Sequence, residues 1–369
     1  MKILHVTKKY PDIMGGDSTV VAGLAKYQKK MGHSVYILTS NCSEVIKSPE
    51  VTKYGLKIDS IKLDRINLKR IISLLILFFY LFFYLKKVRP DIVHSHSPDL
   101  GFILSIHCRL YRISIINTYH GISFNDKDYF LIKRKLEEFL IKCSNFDKII
   151  IKDKSSLDDF KKLKIRNVDY LPNAVDLDLF RQKRNKINKK TTFLFAGRIE
   201  KEKGLGYLIY AVNKLKKKEK DFEVLLIGKG LDQKYFQELV ASLKLDNYIK
   251  FLGEKSKDEI IDYYFNSDVF ISPSLHESFP ITVLEAWAAK MPVIISNVGG
   301  VSTICKDRQN AIIIAPKNPE NIMDAMTTLI KNPGLAKKLG ENGRKLVEKN
   351  YRWDKIAKEM ESIYEEIIK

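Results

Sequence analysis

At 369 residues the chain exceeds one ordinary core and suits two domains. Its content of 45% hydrophobic and 11% aromatic residues can fill both cores and excludes disordered and fibrous classes. A net charge of +20 favours anionic partners such as nucleotides or an acidic membrane surface, although a composition rich in Lys, Ile and Asn gives the same charge without any partner.

The basic runs at 181–190 and 214–220 fall in loops and helix ends with no RNA- or DNA-binding motif beside them, so nucleic acid is not expected. Cys42, Cys108, Cys143 and Cys305 stand far apart, without CxxC or zinc-like spacing, which points to a reducing compartment and no disulfide framework. The opening MKILHVTKKY lacks a signal-peptide h-region, so the expected location is cytoplasmic.

In chain order, short apolar strands alternate with helix-length segments. Residues 2–6 read as a strand leading to a loop with Gly15 and Gly16, 19–31 as a helix stopped by Gly32, and 34–39 as a strand. Residues 71–85, IISLLILFFYLFFYL, lie between Lys69, Arg70 and Lys86, Lys87, Arg89. A helix of that length rises only about 22 Å, short of the roughly 30 Å hydrocarbon core. Two readings stay open: a helix buried on a sheet, or an aromatic face resting in the interface of an anionic membrane. Further strands follow at 91–95, 113–118, 148–151 and 168–171, then at 192–195, 223–227, 249–251, 269–272, 293–296 and 311–314.

Strands separated by helical patterns predict parallel α/β sheets, here two Rossmann-like, doubly wound domains. The basic stretch at 181–190 reads as the linker, which sets domains over 1–180 and 190–350 and a C-terminal helix over 351–369. Such sheets bind ligands at the carboxyl ends of their strands, so the expected site is the cleft between the two domains.

Chemistry-bearing residues sit at those strand ends. In FAGRIEKEKG, 195–204, Arg198 and Lys203 follow a strand and precede a helix, a place where cations and free helix N–H groups meet an anion. There is no GxxxxGK[ST] phosphate loop. In HESFPITVLE, 276–285, Pro280 suits the first helical position, so the N–H groups of Ile281 and Thr282 would be free. Glu277 and Glu285 flank that helix start, where each could accept hydrogen bonds from hydroxyls. Gly15 and Gly16 allow close backbone approach to a phosphate. His94, His96 and His120 end strands without metal-site spacing, and His94 reads as a satisfied structural histidine. Asp176 and Asp178 form a DxD that reads as a turn or cap.

Together these residues resemble the family-4 retaining glycosyltransferases of the GT-B architecture, over nearly the whole chain. Gly15-Gly16 resembles the family's glycine loop, Gly32–Val35 its GHxV, and Asp91–His96 its DxVHxH. Pro172–Asp176 resembles PNGVD, Phe195–Gly204 resembles FxGRxxxxKG, Phe251–Gly253 matches FLG, and Glu277 with Glu285 resembles the E-x7-E pair. Two positions depart: Ala174 replaces a glycine, and Thr303 stands where a glutamate is usual.

The resemblance implies a retaining transfer of a hexosyl-type sugar from a UDP- or GDP-sugar to a hydroxyl on a sugar or lipid-linked acceptor, in polysaccharide or glycolipid synthesis. No metal or other cofactor is expected. Arg198 and Lys203 would neutralise the leaving diphosphate, Glu277 would hold sugar hydroxyls, and Glu285 the ribose. His120 would contact the transferred sugar, and Gly15, Gly16 and the segment Phe279, Pro280, Ile281, Thr282 would complete the donor contacts. The alternative is a nucleotide-sugar epimerase of the same architecture. Work at the inner face of a membrane is expected if the 71–85 helix touches lipid.

Overall fold

A computed structural model describes residues 1–10, 16–41, 50–53, 68–121, 131–181 and 190–368. The chain divides into two compact units, Met1–Asn173 with Trp353–Lys369, and Ala174–Arg352. The division therefore falls before the basic stretch at 181–190, most of which lies outside the described residues. The reason is local: Val175 donates its N–H to the Tyr351 carbonyl at 2.9 Å, and Phe180 is buried in the second unit's core.

In the first unit, β1 (Lys2–Lys9), β2 (Ser34–Asn41), β3 (Glu50–Lys53), β4 (Ile92–Ser95), β5 (Ser114–Tyr119), β6 (Lys148–Ile151) and β7 (Val168–Tyr170) form one sheet. The order is β3-β2-β1-β4-β5-β6-β7 and every pairing is parallel. The edge strand β3, EVTK, has too little apolar character for period-two reading to detect it. Helices α1 (Gly16–Lys30), α2 (Leu68–Val88), α3 (Pro98–Tyr111), α4 (Leu131–Cys143) and α5 (Leu157–Lys162) connect these strands.

Leu4, Val6, Val93 and Ile115 share a core with Leu77, Leu81 and Leu85 of α2 and Leu100 and Leu104 of α3. The other face carries α1 and a C-terminal helix, Trp353–Ile367, which pack on each other. They touch where α1 has a glycine: a Cβ on Gly23 would meet Trp353 Cε2 at 2.2 Å.

α2 is longer than the apolar string, 21 residues rather than fifteen. At 1.5 Å per residue it rises about 31 Å, so shortness is not what distinguishes it from a membrane span. The distinction comes from charge at both ends and from Leu77, Leu81 and Leu85 buried against the sheet. Among the described residues no helix is long and apolar enough to cross a membrane. Ile76, Phe79 and Phe83, three and four residues apart, form an exposed stripe on the same helix.

The second unit repeats the plan. β8 (Thr191–Ala196), β9 (Phe222–Ile227), β10 (Ile249–Gly253), β11 (Val269–Ser272), β12 (Val293–Ser296) and β13 (Ile312–Ile314) form a parallel sheet of order β10-β9-β8-β11-β12-β13. Its helices are α6 (Leu205–Leu215), α7 (Gln233–Ser242), α8 (Lys257–Asn266), α9 (Ile281–Ala288), α10 (Val301–Ile304), α11 (Pro319–Lys331) and α12 (Pro333–Asn350).

Strand alternation divides its core in two. Phe193 and Phe195 join residues of α6, α7 and α11 on one face, while Leu194 and Ala196 join residues of α8 and α9, including Trp287, on the other. Both sheets, buried on both faces, explain the near-continuous apolar strands. Cys108, Cys143 and Cys305 are free thiols, and Cys42 lies outside the described residues.

Trp353 is 4% exposed, so Trp353→Ala is expected to lower stability by about 3–5 kcal/mol. Urea titration followed by circular dichroism checks this. A loss under about 1 kcal/mol would mean that the Gly23–Trp353 contact does not hold the C-terminal helix.

Candidate active site

The loops after β8, β11 and β12 lock together at the carboxyl ends of their strands. Gly204 has φ +70, and a Cβ there would meet the Pro273 carbonyl oxygen at 1.9 Å, so this position requires glycine. Leu275 donates its N–H to the Glu202 carbonyl at 2.8 Å, and Gly300 donates to the Glu277 carbonyl at 3.0 Å. These bonds fix the backbone beneath Lys203 and Glu277.

Lys203 Nζ lies 3.1 Å from Glu277 Oε2, with both side chains mostly buried. Residues 74 apart in sequence thus form one ion pair. Arg198 is 57% exposed and pairs with Glu200 at 2.5 Å and with Glu202. Neither cation stands alone, so any anionic ligand here would have to displace carboxylates already in place. At Arg198 this costs little, because exposed pairs contribute only about 0–1 kcal/mol.

α9 starts one residue later than expected. Pro280 caps the helix from an extended conformation, φ −80 and ψ 93, and Ile281 is the first helical residue. The N–H groups of Ile281 and Thr282 still belong to the first turn, which has no acceptors within the helix. Phe279 turns its side chain into the core against Tyr351, with ring centroids 5.8 Å apart, which leaves its backbone as the part available to a ligand. Glu285, partly buried on α9, accepts a hydrogen bond of 2.8 Å from the Tyr264 hydroxyl. Burial pushes its carboxyl above the usual range, against the opposing pull of Tyr264 and Lys257. Asp176 accepts from the Asp178 N–H at 3.2 Å and caps the turn Leu177–Phe180, a structural role for the DxD.

The geometry agrees with two family matches. The model described as Glycosyltransferase Family 4 matches residues 14–179, and the one described as Glycosyl transferases group 1 matches 176–346. The chain joins two glycosyltransferase domains. An uncharacterised glycosyltransferase of Methanocaldococcus jannaschii is 35% identical over 171 residues, 46% of this chain and 44% of the relative, so the match spans less than half of that protein.

Among solved structures, sucrose-phosphate synthase of Thermosynechococcus elongatus aligns with TM-score 0.86 at 20% identity, covering 99% of this chain and 98% of the other. HepE of Anabaena, solved in complex with UDP-glucose, aligns with TM-score 0.83 at 16% identity, covering 99% and 100%. The fold is the GT-B type, with two Rossmann-like domains.

Arg198, Lys203, Glu277 and Glu285 fall in the group 1 domain. Gly15, Gly16 and His120 fall in the family-4 domain. Gly15 lies outside the described residues, and Gly16 is not in a loop but opens α1, where its N–H is one of the first-turn donors with no acceptor within the helix.

His120 is half-buried, and its Nε2 lies 3.3 Å from His96 Nδ1. It ends a buried row that sequence reasoning did not assemble. His96 Nε2 meets His5 Nδ1 at 3.0 Å, and His5 Nε2 meets Gln28 Oε1 at 2.7 Å. The Gln28 carbonyl accepts, so His5 Nε2 donates; His96 Nε2 then donates to His5, and His120 Nε2 to His96. His94 is held by the Tyr364 hydroxyl at 2.6 Å and Thr118 Oγ1 at 2.7 Å, and Gln28 Nε2 donates to Tyr364 at 3.1 Å.

The ligand atoms of His5, His94 and His96 lie within 4.8 Å of one another. Their rings are stacked or tilted 4.2–5.2 Å apart, and each of the six nitrogens has a protein partner. His94 and His96, two apart on one strand, were the available clue. His5, Gln28 and Tyr364 join them only through the fold.

Burial lowers the pKa of His5 from 6.5 to about 4, outweighing the Gln28 bond, and drives His94 and His96 well below 6.5. Within about pH 4–6.5 the unfolded chain therefore binds protons that the folded chain refuses. Stability should fall as pH drops through this window, by about 1.4 kcal/mol per unit for each histidine. Urea midpoints at pH 7 and pH 5 check this, and equal midpoints would argue against a neutral row.

Proposed function

We propose that this glycosyltransferase transfers a sugar from a UDP- or GDP-sugar to a hydroxyl of a sugar or lipid-linked acceptor, with retention of anomeric configuration. The observation that carries the reading is the Lys203–Glu277 pair, built from the loops after β8 and β11 beside the free first turn of α9. Arg198 and Lys203 would exchange their carboxylate partners for the donor diphosphate. Charge grows on that group as the glycosidic bond breaks, and preorganised cations and N–H donors stabilise it. Glu277, released from Lys203, would accept from sugar hydroxyls, and Glu285, positioned by Tyr264, from the ribose. Fixed cations replace a metal in this scheme. From the family-4 domain we assign His120 to the transferred sugar and Gly16, with Gly15, to phosphate.

Relatives named as glycosyltransferases, and a structural neighbour solved with UDP-glucose, support a transferase over a nucleotide-sugar epimerase. Arg198→Ala, Lys203→Ala and Glu285→Ala are each expected to cut sugar transfer by about 10²–10³-fold. Near-normal turnover in any of them would remove that residue from the site. C2 inversion of a nucleotide-sugar incubated without acceptor would favour the epimerase.

The exposed stripe of Ile76, Phe79 and Phe83 supports a position at the cytoplasmic face of a membrane. Exposed Ile106 and Leu110 of α3 and Phe139 of α4 lie on neighbouring helices. Lys86, Lys87, Arg109 and Arg112 supply positive charge at the helix ends. Sedimentation with anionic liposomes at low salt and release at high salt are expected. No sedimentation at low salt would exclude lipid as the partner of this face.

A further inference from the structure

Lys152 follows β6 at the carboxyl edge of the first sheet and is 2% exposed. It has no hydrogen bond or ion pair among the described residues. The adjacent carboxylate is turned elsewhere: Asp153 caps Ser155, accepting from its N–H at 2.9 Å and its hydroxyl at 2.5 Å. Strand register explains its neighbours. Tyr119 of β5 pairs with Ile151 of β6, so the next step sets His120 level with Lys152, on the face that also carries His94 and His96. Its positive charge contributes to the low pKa of both histidines. Burial lowers its own pKa from 10.5 to about 7.

A buried, unpaired ammonium is costly, and native chains seldom keep one unless it acts. The histidines from β1 and β4 are neutral or basic, and none can balance the charge. An anion arriving from outside could. Lys152 stands where ligands of open α/β sheets bind, beside the half-buried His120.

We propose that Lys152 anchors a phosphate ester carried by the acceptor, with His120 as its neighbour. This rests on the transferase reading and narrows its acceptor class. A phosphoryl group offers several oxygens and up to two charges, so one oxygen can take the Lys152 ammonium while the others stay open to neighbouring donors and water. Binding would draw a proton onto Lys152, because the charged form gains a partner.

The test is calorimetric titration of sulfate, a dianion that does not titrate near neutrality, into protein saturated with UDP at about pH 8, in buffers of different ionisation enthalpy. Wild type should bind sulfate with net proton uptake. Lys152→Met should lose at least about tenfold in affinity, and Lys152→Arg should bind without uptake because its guanidinium is always charged. Equal sulfate affinity in wild type and Lys152→Met, no binding in wild type, or uptake that persists in Lys152→Arg overturns the proposal. Lys152→Met removes a buried charge and should fold; if it does not, the uptake comparison with Lys152→Arg still decides. UDP affinity, measured alone, reports separately on the donor reading. UDP binding unchanged by Lys152→Met together with lost sulfate binding locates the effect at Lys152.

Discussion

Both sheets turn about their first strand. β1 lies between β2 and β4, and β8 between β9 and β11, so the connections run outward in opposite directions on either side of one strand pair. Loops leaving that pair diverge and open a crevice at the carboxyl ends. Lys203 arrives from the β8 loop and Glu277 from the β11 loop, and this topology is why residues 74 apart meet at 3.1 Å. In the first sheet the same reversal sets His5 of β1 beside His94 of β4, with His96 next along. Each domain thus gathers its polar chemistry at the point where strand order reverses.

The two gatherings differ in electrostatics. In the group 1 domain every proposed cation already has a carboxylate: Lys203 with Glu277, Arg198 with Glu200 and Glu202. These pairs leave little net charge at the strand ends. Glu285 sits in a drier place, where Tyr264 holds it and burial raises its pKa. In the family-4 domain the buried row contains bases and hydroxyls but no acid. Its neutrality depends on each ring keeping a single proton, handed along from His120 to Gln28. Among the described residues Lys152 is the member of that region without a hydrogen-bond or ion-pair partner.

The C-terminal helix ties the ends of the chain together. Trp353 fills the space above Gly23, and Tyr364 hydrogen-bonds both His94 and Gln28. A segment more than 300 residues downstream of β1 therefore completes the first unit's core and its polar row.

Much of this was legible in the sequence. Short apolar runs marked nearly every strand, because strands buried on both faces are apolar throughout. Motif order singled out Arg198, Lys203, Glu277 and Glu285, and the fold sets all four just after strands β8 and β11, on the loops and on α9. What escaped was set by contacts distant in sequence. β3 is too short and polar to stand out, the junction at Asn173–Ala174 depends on a bond to Tyr351, and Phe279 turns inward to meet that same tyrosine. The pairing of Lys203 with Glu277, the histidine row and the burial of Lys152 likewise belong to the tertiary structure alone. The sequence by itself determined which residues end each strand. Folding decided which of those ends face one another, because burial and charge pairing depend on neighbours that the linear order does not adjoin.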